Sequence, residues 1–509
     1  MKKLIYFIGI VFIFTSCEDS FLDTAPNDAL SPSTFWKSKK DLDLALTGCY
    51  NGFESGNSIL YRDAGSDNAF NNFPWEGWTN IGNGKLSPAD PGASYYNFAT
   101  INRCNEFLEN ADNAVEVPEE DRIIYKAQAR FIRAYEYYVL TTNYGDVPLI
   151  TENFATPEEA KVPRNPQAEI RTFIENELAA VIDILPESYS GSEFGKATKG
   201  AAQALLMRYY LYFKDYEQAL TTAKSITGYS LHPSFKGLFD PANEQNNEII
   251  LSVQHTPDIY AMSFTPFLPN SIGGWSSVVP TQSLVDAFEM ADGRTIQEAQ
   301  SQGDYDPENP FINRDPRLRA TVVYPGQVFA GRVYRSIEED DPDYYNTADN
   351  ASKTGYNFKK YTTFIDIDPS APFWNMGNDI FLFRYAEVLL TIAEAKVELG
   401  QIDSELYEAI DAVRLRAGMP AVDKQKYADQ ESVRKLIRNE RRVEFAMEGL
   451  RRDDIIRWDI ASIVMNGELL GAKRGRVLET TQPNGDHHVS MTLPRNLIET
   501  REFQAPKNN

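Results

Sequence analysis

The sequence predicts a mostly α protein, a tetratricopeptide-like right-handed helical array carrying an irregular, loop-rich subdomain with short strands. Three observations predict it. Residues 197–226 ("ATKGAAQALLMRYYLYFKDYEQALTTAKSI") and 383–418 ("FRYAEVLLTIAEAKVELGQIDSELYEAIDAVRLRAG") each read as a helix, a tight polar turn and a second helix. Leu206, Tyr212, Tyr216 and Leu220 are large, whereas Ala219 is small where two helix backbones must approach, as in such repeats. Residues 231–379, between the two blocks, lose this period and are rich in Pro, Gly, Asn and Tyr. So long an irregular stretch inside a globular chain carries function rather than mere connection. One helical pair cannot bury its own apolar face, so about three or four pairs must stack. A chain of 509 residues also exceeds the ~250–300 that one compact core usually holds.

Taken in order, residues 1–16 read as a lipoprotein signal peptide. Lys2 and Lys3 give its positive start, and residues 4–14 form an apolar run. That run is too short for a bilayer core, which needs about 20 residues. Thr15 and Ser16 are small, as a processing peptidase requires, and Cys17 follows directly, which resembles a bacterial lipobox. The Cys17 sulfur is the expected lipidation site, and several acyl chains would make that anchor stable. Residues 17–31, with Pro26, form a polar tether. Residues 32–230 are the N-terminal helical region. Ser38 caps a helix with the stripe Leu42, Leu44, Ala45, Leu46, Cys49 and Tyr50. Residues 63–92, rich in Gly, Asn, Pro and Trp, read as a long loop. Helix returns over 95–111, then over 121–144, where Ile124, Ala127, Phe131, Ala134, Tyr135 and Tyr138 recur and Gly145 and Pro148 stop it. Residues 170–185 form its neighbour.

Residues 231–380 are the loop-rich subdomain, expected to carry function. There "NEIILSVQ" predicts a strand, with Ile249, Leu251 and Val253 alternating with Ile250, Ser252 and Gln254. Residues 381–460 are the C-terminal helical region, and 461–509 a tail packing on the helical body. Residues 437–458 read as helical, with Leu436, Val443, Met447 and Leu450 as the apolar stripe. Glu440, Glu444 and Glu448 fall on one line and would repel alone. Arg438, Arg441, Arg451 and Arg452 are expected to neutralise them in a partly buried ion-pair network.

Fifty Lys+Arg against 73 Asp+Glu give a net charge of −23, so phosphate backbones are unfavourable partners. Removing the signal removes Lys2 and Lys3 and no acid. Cys49 and Cys104 sit among apolar helical positions, either as a disulfide or as two buried small residues. His232, His255, His487 and His488 form no metal-ligand spacing, and no nucleophile elbow or phosphate-binding glycine loop is present. No catalytic residue, metal or cofactor is therefore expected. Residues 338–350 ("EEDDPDYYNTADN") hold oxygen ligands without the spacing or central glycine of a calcium loop, and read as a solvated acidic loop.

A set of segments in fixed order resembles the SusD/RagB family of surface lipoproteins. They are "CEDSFLDTAP", "ARFIRAYEYYVLTTNYGDVPLI", "VVPTQSLVDAFEMADGR", "RDPRL", "FRYAEVLLTIAEA", "VRLRAGMP" and "ERRVEFAMEGLRRDDIIRW". The resemblance implies a non-enzymatic, starch-binding-associated role in nutrient uptake. The protein would sit lipid-anchored on the outer face of the outer membrane, over a SusC-like TonB-dependent transporter. It would capture oligosaccharide and hand it to that barrel. A peptide or glycoprotein ligand is the alternative, with a glycan-cleaving enzyme behind it. Glu18 and Asp19 resemble the acidic tag that directs such lipoproteins to the surface.

Sugars present flat apolar faces rimmed by hydroxyls, which rigid aromatic side chains and amides match. The stretch "SDNAFNNFPWEGWTN" (66–80) has that composition, after a Ser66-Asp67 pair similar to one the family carries before a ligand loop. Phe73, Trp75 and Trp78 alternate there with Asn72 and Asn80. In "NSIGGWSS" Gly273 and Gly274 would let Trp275 project, and "APFWNMGND" offers Trp374. The expected ligand-binding residues are Trp75, Trp78, Asn72, Asn80, Phe73 and Trp275.

Overall fold

Ser38 starts the first helix as the sequence predicts. Its side chain accepts from the Asp41 amide while the Asp41 carboxylate accepts from the Ser38 amide at 2.9 Å, a reciprocal cap. The computed structural model describes residues 35–87, 89–344, 347–466, 469–473 and 488–491. The signal peptide, Cys17, the tether, His487 and most of the tail lie outside the described residues.

The long helices are α1 (Lys39–Phe53), α2 (Ala99–Asn110), α3 (Glu119–Tyr144), α4 (Gln167–Ile182), α5 (Lys199–Tyr212), α6 (Tyr216–Ser225), α7 (Tyr385–Glu398), α8 (Ser404–Arg416), α9 (Gln430–Glu444) and α10 (Arg451–Arg457). Thr198, Asp215, Asp403 and Asp429 cap α5, α6, α8 and α9 with their side chains. Glu119, Glu120 and Asp121 put negative charge in the first turn of α3, where the helix dipole favours it. Each helix from α1 to α8 packs on the next, so chain order is also spatial order. The close approaches use small residues, with Ala219, Ala223, Ala393 and Ala395 buried. This is the helical, tetratricopeptide-like architecture expected.

The contact between α6 and α7 has a consequence. These helices are neighbours in space, yet the whole irregular subdomain lies between them in sequence. That subdomain is therefore looped out between two consecutive turns of one array. Its entry and exit strands, β2 (Ile249–Val253) and β4 (Ile380–Arg384), pair antiparallel from Ile249↔Arg384 to Val253↔Ile380 and close its neck. A second ribbon pairs β1 (Ala69–Asn71) with β3 (Val278–Pro280), tying the subdomain to the segment between α1 and α2.

Several expectations need correction. Residues 63–92 are not one loop. They contain a 3-10 turn at Arg62–Gly65, β1, a second turn at Pro74–Glu76 and a short helix at Trp78–Gly82. Pieces of three to five residues are too short to display a period. The β2 alternation does not separate core from solvent, because the strand is buried on both faces; Ser252 is satisfied by Asp379 at 3.1 Å. The 437–458 segment is not continuous helix. α9 ends at Glu444, and left-handed Met447 (φ 62°) and Gly449 (φ 74°) turn the chain before α10. For Cys49 and Cys104 the second of the two readings holds: both are free, buried thiols, and the Cys104 thiol is pushed well up by its hydrogen bond with Cys49 and by burial.

The acidic row does form a buried ion-pair network, but with distant partners. Glu440 meets Arg317 at 2.5 Å and Arg414 at 2.9 Å. Glu444 meets Arg384 at 2.7 Å, Arg317 at 3.0 Å and also Arg416. Glu448 meets Arg384 at 2.6 Å and Lys360. Arg384 further bonds Glu248 at 2.8 Å. Of the arginines expected to neutralise the row, Arg441 pairs with Asp454 at 3.1 Å and Arg451 with Asp67 at 2.7 Å instead. Burial would raise the Glu444 carboxyl, but Arg416, Arg384 and Arg317 overcome this and hold it far below the usual carboxylate range. Removing one partner from such a site strands the others in low dielectric. Arg384→Leu is expected to cost about 3–5 kcal/mol, measured by urea unfolding.

Candidate functional site

The geometry starts at the β1–β3 ribbon. The Asn72 amide donates to the Ser277 carbonyl at 2.8 Å, extending the ribbon one residue past Asn71↔Val278. The chains bearing Trp75 and Trp275 therefore leave the ribbon at the same end. Beside them runs the segment bearing Trp374. Phe264 donates its amide to the Phe373 carbonyl at 2.8 Å, and Trp275 donates to the Thr265 carbonyl at 2.8 Å, so residues 264–265 hold both loops side by side. Phe373 in turn lies against Gly273. Asn375 joins the next loop, accepting from the Asp258 amide at 2.8 Å and donating to its carboxylate at 2.6 Å. That loop presents Ile259 and Tyr260.

Large rings stand open on this rim. Trp75 is 80% exposed, Trp374 60%, Trp275 48% and Tyr260 43%. Three of them are supported by a neighbouring ring, Trp374 edge-on to Phe373 at 5.3 Å. Trp75 stacks on buried Phe73 with centroids 4.9 Å apart, and Tyr260 lies parallel to His255 at 5.2 Å. Burial pushes the His255 ring down to about 4, so this support is neutral near pH 7. Supported but uncovered rings lose little freedom on binding, which favours their use as contact surface. Gly274 is required here, since a Cβ would sit 2.1 Å from the Leu268 carbonyl oxygen.

The expected residues divide. Trp75 and Trp275 reach the surface. Phe73 and Asn72 are buried. Phe73 supports Trp75, and Asn72 bonds the Ala351 carbonyl at 3.3 Å and the Lys353 amide at 3.3 Å. Asn80 is half-buried and donates to Asp90 at 2.6 Å. Trp78 is turned inward, only 6% exposed, between Tyr61 and Tyr95. The reversal comes from Gly77 at φ 84°, whose carbonyl accepts from the Ala93 amide at 3.2 Å. Tyr260 was not anticipated; "PDIYAM" carries one aromatic in a polar loop, with no period to single it out. The acidic loop 338–350 is partly structural: Asp343 is buried and accepts from the Ser271 amide at 2.8 Å. Among the described residues no cluster suited to a metal is present, and no helix is long and apolar enough to cross a membrane.

Ser66-Asp67 anchors this loop to the helical body. Arg451 grips the Asp67 carboxylate at 2.7 and 3.0 Å, and Arg442 reaches it at 3.0 Å. Burial alone would raise this carboxyl, but Arg442 and Arg451 hold it at about 2.

A stacked-helix body with a looped-out subdomain and exposed aromatic rings on adjoining loops defines a tetratricopeptide-like helical scaffold. The chain belongs to the SusD/RagB family. The SusD family profile matches residues 239–499, and a second, described as starch-binding associating with outer membrane, matches 20–211. A SusD-like carbohydrate binding protein from Bacteroides fragilis is 30% identical with a TM-score of 0.85, covering 93% of this chain and 98% of that one. A second SusD-like protein from B. fragilis is 27% identical with a TM-score of 0.78, covering 95% and 97%. A SusD-like protein of Formosa agariphila is 26% identical over 492 residues, 90% of each chain.

The Asp67 anchor makes an acid-stability prediction. Its folded pKa lies below the unfolded value near 3.9, so its stabilisation is present above about pH 4 and lost as pH falls towards 2. Asp67→Asn is expected to remove roughly 2 kcal/mol at neutral pH and to flatten this part of the acid limb, read by urea unfolding across pH.

Proposed function

We propose that this chain is a lipid-anchored, surface glycan-binding protein that captures oligosaccharide on its aromatic rim and passes it to a SusC-like TonB-dependent transporter in the outer membrane. The observation that carries the reading is that Trp75, Trp275, Trp374 and Tyr260 are all exposed and stand on four loops hydrogen-bonded to one another in series. Several flat rings on adjoining loops match the successive apolar faces of a sugar chain, and rings braced from behind, as Trp75, Trp374 and Tyr260 are, need little ordering to receive it. The carbohydrate binding protein from B. fragilis, similar over nearly its full length, supports the same ligand class. The outer-membrane wording of the second profile, together with the Cys17 motif, supports the location. The role is one of binding, with no catalytic step assigned to the chain.

The test is calorimetric titration of the full-length protein against a panel of plant, algal and fungal oligosaccharides and against a peptide digest. Trp75→Ala, Trp275→Ala and Trp374→Ala are each expected to weaken glycan binding about tenfold, the effect of withdrawing one buried aromatic contact. Trp78→Ala is unsuited to this purpose because it opens the core. Binding of the peptide digest with no glycan bound would favour a peptide-capturing protein of the same family. Glycan affinity unchanged in all three variants would refute the rim. Incorporation of labelled palmitate, lost in Cys17→Ala, tests the anchor.

A further inference from the structure

The loops bearing the exposed rings are bonded in series, and Tyr260 stands at the end of that series opposite Trp75. At this end a cavity of about 230 Å³ leads inward, between the C-terminal end of α1 and the middle of α3. Tyr260 belongs to both, since its exposed ring also lines the cavity. Its loop is seated there by His255, whose ring lies so close over Gly56 that a Cβ would come within 2.7 Å of it. A chain lying on the rim therefore meets this cavity at one end.

Its walls combine rings and acids. Tyr95 and Tyr135 stand with Tyr260, and Glu54 and Glu136 contribute carboxyls. The strong donors are spent on Glu54. Arg62 pairs with it, the Tyr135 hydroxyl donates to it at 2.6 Å and the Ser55 amide at 3.0 Å. The Arg62 Nε donates to the Tyr95 hydroxyl at 3.1 Å. Glu136 receives nothing. Its Oε1 is enclosed in the wall without a partner, so the surface that the carboxyl of this half-buried side chain keeps lies on Oε2, which no donor reaches among the described residues. Burial and Glu54 push this acid well above the usual carboxylate range, with Arg62 opposing. A positive charge brought against it would favour its ionised form.

This chemistry selects the group that enters. An anion would meet two carboxyls, and the one cation in the wall, Arg62, is already paired with Glu54. A neutral hydroxyl would bring Glu136 a donor but no charge. An ammonium brings several donors and a positive charge, and tyrosine ring faces attract it as the carboxyl does. The net charge of −23 draws cations towards the molecule. Resting on the rim as the glycan-binding surface, we infer that this cavity receives the end unit of the bound chain and that the unit is an amino sugar, its ammonium on Glu136 and against the rings of Tyr95 and Tyr260.

The test is calorimetric titration of the full-length protein, at physiological salt, with β-1,4-linked hexamers of glucosamine, N-acetylglucosamine and glucose, which differ only in the group at C2. The glucosamine hexamer is expected to bind about tenfold more tightly than the other two. Glu136→Gln keeps the shape of a half-buried side chain and removes its charge. It is expected to reduce that preference below about threefold, with the melting temperature unchanged. Trp75→Ala is expected to weaken the hexamers alike and keep the preference, so failure of the rim and failure of the cavity read on different variants. Equal affinity for the three hexamers, no binding of any of them, or a preference kept in full by Glu136→Gln would overturn the inference. So would a peptide digest that binds more tightly than the glucosamine hexamer and loses that binding in Glu136→Gln, because the amine would then be a peptide's.

Discussion

The buried ion-pair network around Glu444 and Arg384 is the interaction on which the rest of the architecture depends. Burying a charge costs several kcal/mol unless its partners surround it. Here the partners come from both parts of the molecule. Arg317 and Lys360 belong to the looped-out subdomain, Glu248 stands beside its entry strand, and Glu440, Glu444, Arg414 and Arg416 belong to the helical array. Lys360 also donates to the carbonyls of Glu444 and Ala446 at 2.8 and 3.0 Å, capping the chain where α9 ends. Burial pushes its amine down to about 8, against the pull of Glu448. An apolar contact would tolerate sliding of one part on the other. A set of directional, charge-assisted bonds does not, and so the subdomain has one seat on the array.

From that seat the rim follows. The β2–β4 pair closes the neck, the β1–β3 ribbon draws residues 69–71 onto the subdomain, and Asp67 pins the same segment to Arg442 and Arg451. The loops carrying Trp75, Trp275, Trp374 and Tyr260 thus begin from fixed bases although their tips are exposed. The arrangement places the rigid components beneath and leaves the exposed rings on short loops, where side chains change without disturbing the core.

Much of this was legible in the sequence, for a definite reason. Helices such as α3 and the α5–α6 and α7–α8 pairs repeat their apolar residues over many turns, and the caps Ser38 and Gly145 punctuate them locally. The acidic row at Glu440 and Glu444 was also legible as an ion-pair network, because unpaired buried carboxylates are untenable. Its partners were not. Arg441 and Arg451 are near in sequence, but backbone turning at Met447 and Gly449 directs them to Asp454 and Asp67, while Arg317 and Arg384 arrive from elsewhere in the chain. Trp75 and Trp78 show the same limit at the candidate site. They are three residues apart, of one type and in one composition, yet one is the most exposed tryptophan and the other forms a wall of the interior.

The sequence by itself determined the helical array, the irregular stretch that interrupts it, the family and the aromatic character of the loops, since periodicity, capping and ordered motifs are local properties of the chain. Only the tertiary structure decided that the subdomain is looped out between neighbouring helices, which rings face solvent and which cations meet the buried carboxylates. Those outcomes depend on contacts between residues hundreds of positions apart and on single left-handed turns such as Gly77, whose effect on direction is not encoded in any neighbouring pattern.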